Sequence, residues 1–542
     1  MKYLLIFSLL IISFVVFSQD DEKGDKDLSK FNKKNINWHN KDYKKDKIVG
    51  SSVERLYNEY LKNTKPRKMI VVAIIDGGVD IYHEDLKDNI WVNKGEIPNN
   101  GIDDDKNGYI DDINGWNFIG NKDGANLNEA PLEKTRLYSV WDKKYSGKTE
   151  SEITDKKEYE CYLNVKKSFE SEYHNSLQES NSLGQFLQNI DMAESYIKQY
   201  LKRDAFTIDD LKTIKTDDAD LISIIAFLKD VYSSGYDKKE LISYKKHVDN
   251  ELKYNLNIDF HPRKDIIGDD CNNYEDAFYG NNDVKGPRSS HGTFGAGVIA
   301  AKRNNEVGVQ GVADSVKLMV LRVVPDGDEY DKDVALSIRY AVDNGANIIN
   351  MSFGKDFSVN PHKVWEAVKY ASDHNVLLVH AAGNEAENND TIVHYPADFV
   401  DNTDTVVNFI TVAASDMKRN KDLPAEFSNY GKTTVDVFAP GYELLSTAPE
   451  NTYSLASGTS FSAPLVTGVA ALIWSYYPEL TATNLKKVLL DNVNYLGKRK
   501  VYLPLDGYGK RTKVKFGELS VTGGVINAYN AYVYLLGNIN KL

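Results

Sequence analysis

The run Gly458-Thr459-Ser460-Phe461-Ser462-Ala463-Pro464 leads into an apolar segment, Ala463 to Tyr476, and so sets a small hydroxyl at the mouth of a helix. The first N–H groups of a helix have no carbonyl four residues back, and the dipole at that end favours negative charge. Pro464 suits a first helical turn, where its missing N–H costs nothing. A serine held in this way is placed to attack a carbonyl and to leave the oxyanion near donors. Ser and Thr are also common N-caps of apolar helices, so the run is judged by the rest of the chain.

Three other blocks bear on it. Met69 to Ile75 (MIVVAII) is a continuous β-branched run that predicts a buried parallel strand, and it ends in Asp76-Gly77-Gly78. The carboxyl ends of such strands are where open α/β sheets build their sites. Ser290-His291-Gly292-Thr293 precedes a small apolar helix expected over 298–302. A histidine at the start of that helix can offer one nitrogen to an acid and the other to a hydroxyl. The apolar strand Val376 to Val379 is followed by His380-Ala381-Ala382-Gly383-Asn384, whose amide can reach a developing oxyanion. Each block alone has an ordinary structural explanation, as a turn, a cap or a core histidine.

Together and in this order, Asp76-Gly-Gly, His291-Gly-Thr, Ala382-Gly-Asn384 and Gly458-Thr-Ser460-Phe-Ser-Ala-Pro464 resemble the subtilisin-like serine proteases (subtilases, peptidase family S8). The likeness runs over residues 65–120 and 285–535. It implies a three-layer α/β/α domain with a parallel sheet. It further implies an endopeptidase that works through an acyl-enzyme, with Ser460 as nucleophile, His291 as general base and Asp76 as its orienting partner. Asn384 and the Ser460 N–H would form the oxyanion hole. Ser352, Phe353 and Gly354 on one side, and Ala381, Ala382 and Gly383 on the other, would wall the substrate cleft. Two positions depart from the family's usual pattern. Gly77 stands where Ser or Thr often follows the acid, which predicts one hydrogen bond fewer to the carboxylate. Phe294 replaces a second histidine, which predicts repacking. A non-catalytic binding protein on the same scaffold, or a ligase that passes the acyl group to an amine, would share these residues.

Residues 99–118 crowd oxygen-bearing side chains. Asp103, Asp105, Asn107 and Gly108 match positions one, three, five and six of an EF-hand-like loop. Tyr109 offers its carbonyl, and Asp111 or Asp112 stands in for the missing Glu at position twelve. The expectation is a structural calcium ion without part in catalysis. A solvated acidic turn is the alternative.

Asp76 and His291 are separated by far more chain than compact subtilases need. Residues 130–265 are therefore read as a helical insertion in a discontinuous peptidase domain, 65–129 and 266–542. Tyr162, Val165, Phe169, Tyr173 and Leu177 recur at helical spacing, and a second helix is expected over 183–201. The insertion is read as a solvated helical subdomain, or as a lid, exosite or built-in inhibitory device. Met1-Lys2, an apolar run to Phe17 and Ser18 predict a signal peptide over residues 1–18, with export to the medium, periplasm or cell surface. Residues 19–64 form a charged N-terminal segment, of which 19–45 has the composition of a flexible chain. It is short for the inhibitory prosegment of many subtilases.

The net charge of −13 disfavours nucleic acid and anionic membranes as partners; protein or peptide substrates are what the resemblance implies. No later stretch is apolar enough to span a bilayer. Cys161 and Cys271 are the two cysteines, and export would permit a disulfide between them.

Overall fold

The computed structural model describes residues 24–233, 238–401, 404–505, 509 and 511–539. The expected signal peptide lies outside them. The chain divides into two compact units, one of residues 1–128 with 262–542 and one of Glu129–His261.

The first unit is built on a nine-stranded sheet. From one edge its strands are Asn494–Tyr495, Gly524–Val525, Val437–Pro440, Phe409–Ser415, Leu377–Ala381, Ile348–Met351, Ile70–Asp76, Val316–Arg322 and Gly115–Asn117. All neighbours pair parallel except the first two, which are antiparallel. Successive side chains of a strand point to opposite faces. Ile70, Val72 and Ile74 accordingly join a core with the helices Ser290–Ala300, Thr459–Tyr476 and Ala528–Asn538. Ala73 and Ile75 join another, with Asp331–Asp343 and Pro361–Asp373. Two helical layers enclose a sheet that is apolar on both faces, as its unbroken β-branched strands require. The three-layer α/β/α expectation is borne out.

Both site-bearing helices begin earlier than their apolar runs suggest. The histidine helix is Ser290–Ala300, so His291 lies in its first turn rather than ahead of it. The serine helix is Thr459–Tyr476, which places Ser460 in the first turn and Pro464 in the second. The first-turn position expected for Pro464 is thus corrected, because Thr459 to Ala463 already take helical backbone.

Residues 24–45 are not a flexible chain. Trp38 is fully buried, and its Nε1 donates to the Glu443 carbonyl at 3.2 Å. Asn40 Nδ2 donates to the Gln310 carbonyl at 2.8 Å, and Asp25 pairs with Tyr453. Trp38, with Leu28, Phe31, Ile36 and Tyr43 packed on core clusters, anchors a segment whose average composition is that of a solvated one.

The second unit is helical throughout its described regular structure. A single helix, Lys156–Leu201, replaces the two expected ones. It starts at Asp155, whose carboxylate accepts from the Glu158 N–H at 2.9 Å, and ends at Lys202 in a left-handed cap. Gly184 alone does not break it, since a mid-helix glycine costs only about 1 kcal/mol. Ala193 and Ile197 pack with Leu211, Leu221, Ile225 and Leu228 of later helices. No disulfide joins Cys161 and Cys271.

Candidate active site

Asp76 is the last residue of a central strand, and His291 opens a helix that crosses above it. His291 Nδ1 lies 2.9 Å from both carboxylate oxygens of Asp76. The Gly77 N–H donates to Asp76 Oδ1 at 2.7 Å, so the backbone supplies a bond even without a hydroxyl at position 77. Burial alone would depress His291, but the charge and hydrogen bond of Asp76 outweigh it and hold the imidazole above its ordinary 6.5.

The histidine helix is fastened at its start. The Asp80 N–H donates to Thr293 Oγ1 at 2.8 Å, and Thr447 Oγ1 donates to the Thr293 carbonyl at 2.7 Å. Phe294 is buried against Phe461 of the serine helix, ring centroids 4.2 Å apart. The expected repacking is therefore an aromatic contact between the two helices that carry His291 and Ser460.

Around Ser460 the backbone is organised by its neighbours. Pro464 has no N–H to give the carbonyl four residues back, which is that of Ser460. Ser352 Oγ takes that place, donating to the Ser460 carbonyl at 2.7 Å. Ser352 in turn accepts from Asn350 Nδ2 at 2.9 Å, and Asn350 Oδ1 accepts from Thr467 Oγ1 at 3.0 Å. Asn384 Oδ1 accepts from the Thr459 N–H at 2.8 Å and from Thr459 Oγ1 at 3.1 Å. With its oxygen committed, the amide has its Nδ2 donor to offer. The Ser460 N–H, in the first turn, has no helical carbonyl four residues back.

These groups share one cleft of about 240 Å³, lined by Asp76, His291, Asn384 and Ser460. Ser352, Phe353, Gly354, Ala381, Ala382 and Gly383 line it as well. Gly383 has φ +107°, and a Cβ there would meet Glu385 Oε2 at 2.6 Å, so only glycine fits this wall.

The model of the subtilase family matches residues 67–510 of the chain. The chain belongs to the subtilase family. Its sequence is 37% identical over 188 residues to the thermophilic serine proteinase of Bacillus sp. (strain AK1), covering 34% of this chain and 43% of that one. It is 36% identical over 215 residues to the thermostable alkaline protease of Halalkalibacterium halodurans (strain ATCC BAA-125 / DSM 18197 / FERM 7344 / JCM 9153 / C-125), covering 40% and 55%. With subtilisin BL of Lederbergia lenta it shares 35% over 216 residues, covering 40% and 74%. The chain thus spans about half the length of the first two relatives.

In this subtilase the acidic loop folds back on itself. Oxygens of Glu96, Asp105 and Asp112 lie within 4.8 Å of one another. Asp112 is buried and accepts from Asn93 Nδ2 at 2.8 Å, from Asn107 Nδ2 at 2.9 Å and from the Tyr340 hydroxyl. Asp103 and Asp111 turn to backbone donors, Asp103 to the N–H groups of Asn107 and Gly108 and Asp111 to those of Asn100 and Gly101, and Glu96 likewise accepts from those of Asp104, Asp105 and Asp111. Of the expected ligands, the structure therefore clusters Asp105 and Asp112 and adds Glu96, which lies before the motif. Asp103 and Asp111 shape the loop, and Tyr109 packs its ring on Trp116 at 5.2 Å.

Proposed function

We propose that the chain is an exported serine endopeptidase that hydrolyses peptide bonds of protein substrates through an acyl-enzyme. The observation that carries this reading is the imidazole of His291 held by both oxygens of Asp76 in a cleft that Ser460 and Asn384 also line. Ser460 Oγ attacks the scissile carbonyl while His291 Nε2 takes its proton. Asp76 faces Nδ1, which keeps the proton there, leaves Nε2 open as acceptor and stabilises the imidazolium that forms. Asn384 Nδ2 and the Ser460 N–H receive the oxyanion; one such donor is worth about 10²–10³ in rate. His291 then protonates the leaving amine, and water activated by His291 releases the acyl group.

In this reading the peptidase domain is discontinuous, with the helical unit inserted between Asp76 and His291, and residues 1–18 direct export. Among the described residues no helix is long and apolar enough to cross a membrane. Calcium fits the cluster of Glu96, Asp105 and Asp112, a set of hard oxygen donors whose mutual repulsion a divalent cation relieves. Its role would be structural.

The test is casein hydrolysis by the purified chain beside Ser460→Ala. The wild type is expected to cleave and the variant to lose cleavage while keeping its circular dichroism spectrum. A folded variant with undiminished cleavage would overturn the assignment of Ser460.

A further inference from the structure

Past each wall of the cleft the chain continues into a carboxylate, and these meet at one histidine. Beyond Ser352-Phe353-Gly354 comes Asp356, whose Oδ1 lies 3.1 Å from His394 Nδ1. Beyond Ala381-Ala382-Gly383 come Glu385 and Glu387. Glu387 Oε2 lies 3.3 Å from His394 Nε2. Asn429 Nδ2 sits 3.2 Å from His394 Nε2 and donates to Glu385 Oε2 at 2.8 Å. Asp356, Glu385 and His394 all line the same cleft as Ser460.

The charges there do not balance. Asp326, Asp328, Asp356 and Glu385 all line the cleft, beside the guanidinium of Arg288. Burial alone would depress His394, but the hydrogen bond and charge of Asp356, with the charges of Glu385 and Glu387, outweigh it and raise its pKa above 6.5. Of the other two histidines in the cleft, His291 is paired with Asp76, and His380 is buried and pushed down to about 4, so it brings no positive charge at neutral pH. Arg288, also in the cleft, is paired with Asp326 at 2.9 Å. A cleft with an excess of one sign of charge, walled from water, selects the opposite sign in what it binds.

We propose that the pocket beside the oxyanion donors takes a cationic side chain, so that the chain cuts after lysine or arginine. This rests on the peptidase reading above. Asp356 and Glu385 are its specificity determinants. His394 holds the two walls together and keeps the carboxylates facing the pocket.

The experiment uses the full chain and fluorogenic tetrapeptides that differ only in the residue before the scissile bond: Arg, Lys, Leu, Phe or Glu. Active sites are counted with a fluorophosphonate. Arg and Lys are expected to be preferred in kcat/KM, with Arg over Glu by about 10²-fold, since like-charge contacts cost several kcal/mol. In Asp356→Asn/Glu385→Gln the Arg-to-Leu ratio should fall about tenfold. Preference for Leu, Phe or Glu in an enzyme that takes the label would overturn this inference and leave the peptidase reading standing. A ratio unchanged in the double variant would overturn the role of the two carboxylates. No cleavage of any substrate together with no label would overturn both.

Discussion

Ser352 Oγ donates to the carbonyl of Ser460 at 2.7 Å, the acceptor that Pro464 leaves without its helical partner. One missing N–H in the second turn of the serine helix thereby ties the candidate nucleophile to the strand end that walls the cleft. Ser352→Ala leaves that carbonyl and the Asn350 amide without a partner in a buried place. The expected cost is about 1–3 kcal/mol, read as a lower urea midpoint at unchanged m-value. An unchanged midpoint would mean that water or a relaxed turn replaces the serine.

The Asp76–His291 pair sets a pH dependence. His291 must be neutral to accept the Ser460 proton, so kcat/KM is expected to rise with pH through an inflection above 6.5. Its share of fold stability runs the other way. The protonated pair stabilises fully below 6.5, and that increment is lost as pH rises through the elevated pKa. Asp76→Asn removes the partner and leaves the depressing effect of burial. The inflection should move down and kcat fall about 10⁴-fold, the magnitude typical of this change in a serine triad. An inflection that stays in place would show that Asp76 does not hold the imidazole.

A Cβ on Gly292 would stand 2.2 Å from the Gly78 carbonyl oxygen and 3.2 Å from Asp76 Cβ. The histidine helix can approach the acid only because this residue lacks a side chain. Gly292→Ala should push the helix off the strand end and lower kcat by more than it raises KM, because Asp76 and His291 part. Steady-state kinetics check this, and wild-type kcat in the variant would contradict it.

Calcium removal bears on Glu96, Asp105 and Asp112. A chelator should lower the melting temperature, by the equivalent of about 2.7 kcal/mol where the calcium lost had exceeded its Kd a hundredfold. Glu96→Gln/Asp112→Asn should abolish the difference between calcium and chelator. Equal melting curves for the wild type in both would remove calcium from the account.

Much of this was legible because it lies in contiguous blocks. Strand runs such as Met69 to Ile75 carry their own signal, and Asp76, His291, Asn384 and Ser460 each sit within a short local pattern. What the chain hid depends on distant pairing. Glu96 precedes the acidic loop and has no motif of its own. Asp356, Asn429 and the loop that carries Glu387 and His394 lie far apart in the chain, and nothing local marks them as one network. The N-terminal segment looks solvated by composition, yet Trp38, Asn40 and the pairing of Asp25 with Tyr453 seat it. Lys156–Leu201 reads as two helices because its apolar pattern lapses near residue 180, although its backbone bonding does not.

The most direct measurement is mass spectrometry of the full chain after reaction with a fluorophosphonate, which labels a serine only when base and oxyanion donors are in place. One adduct is expected, on Ser460, and it should be lost in His291→Ala. A folded chain that takes no label, or takes it on another serine, would contradict it.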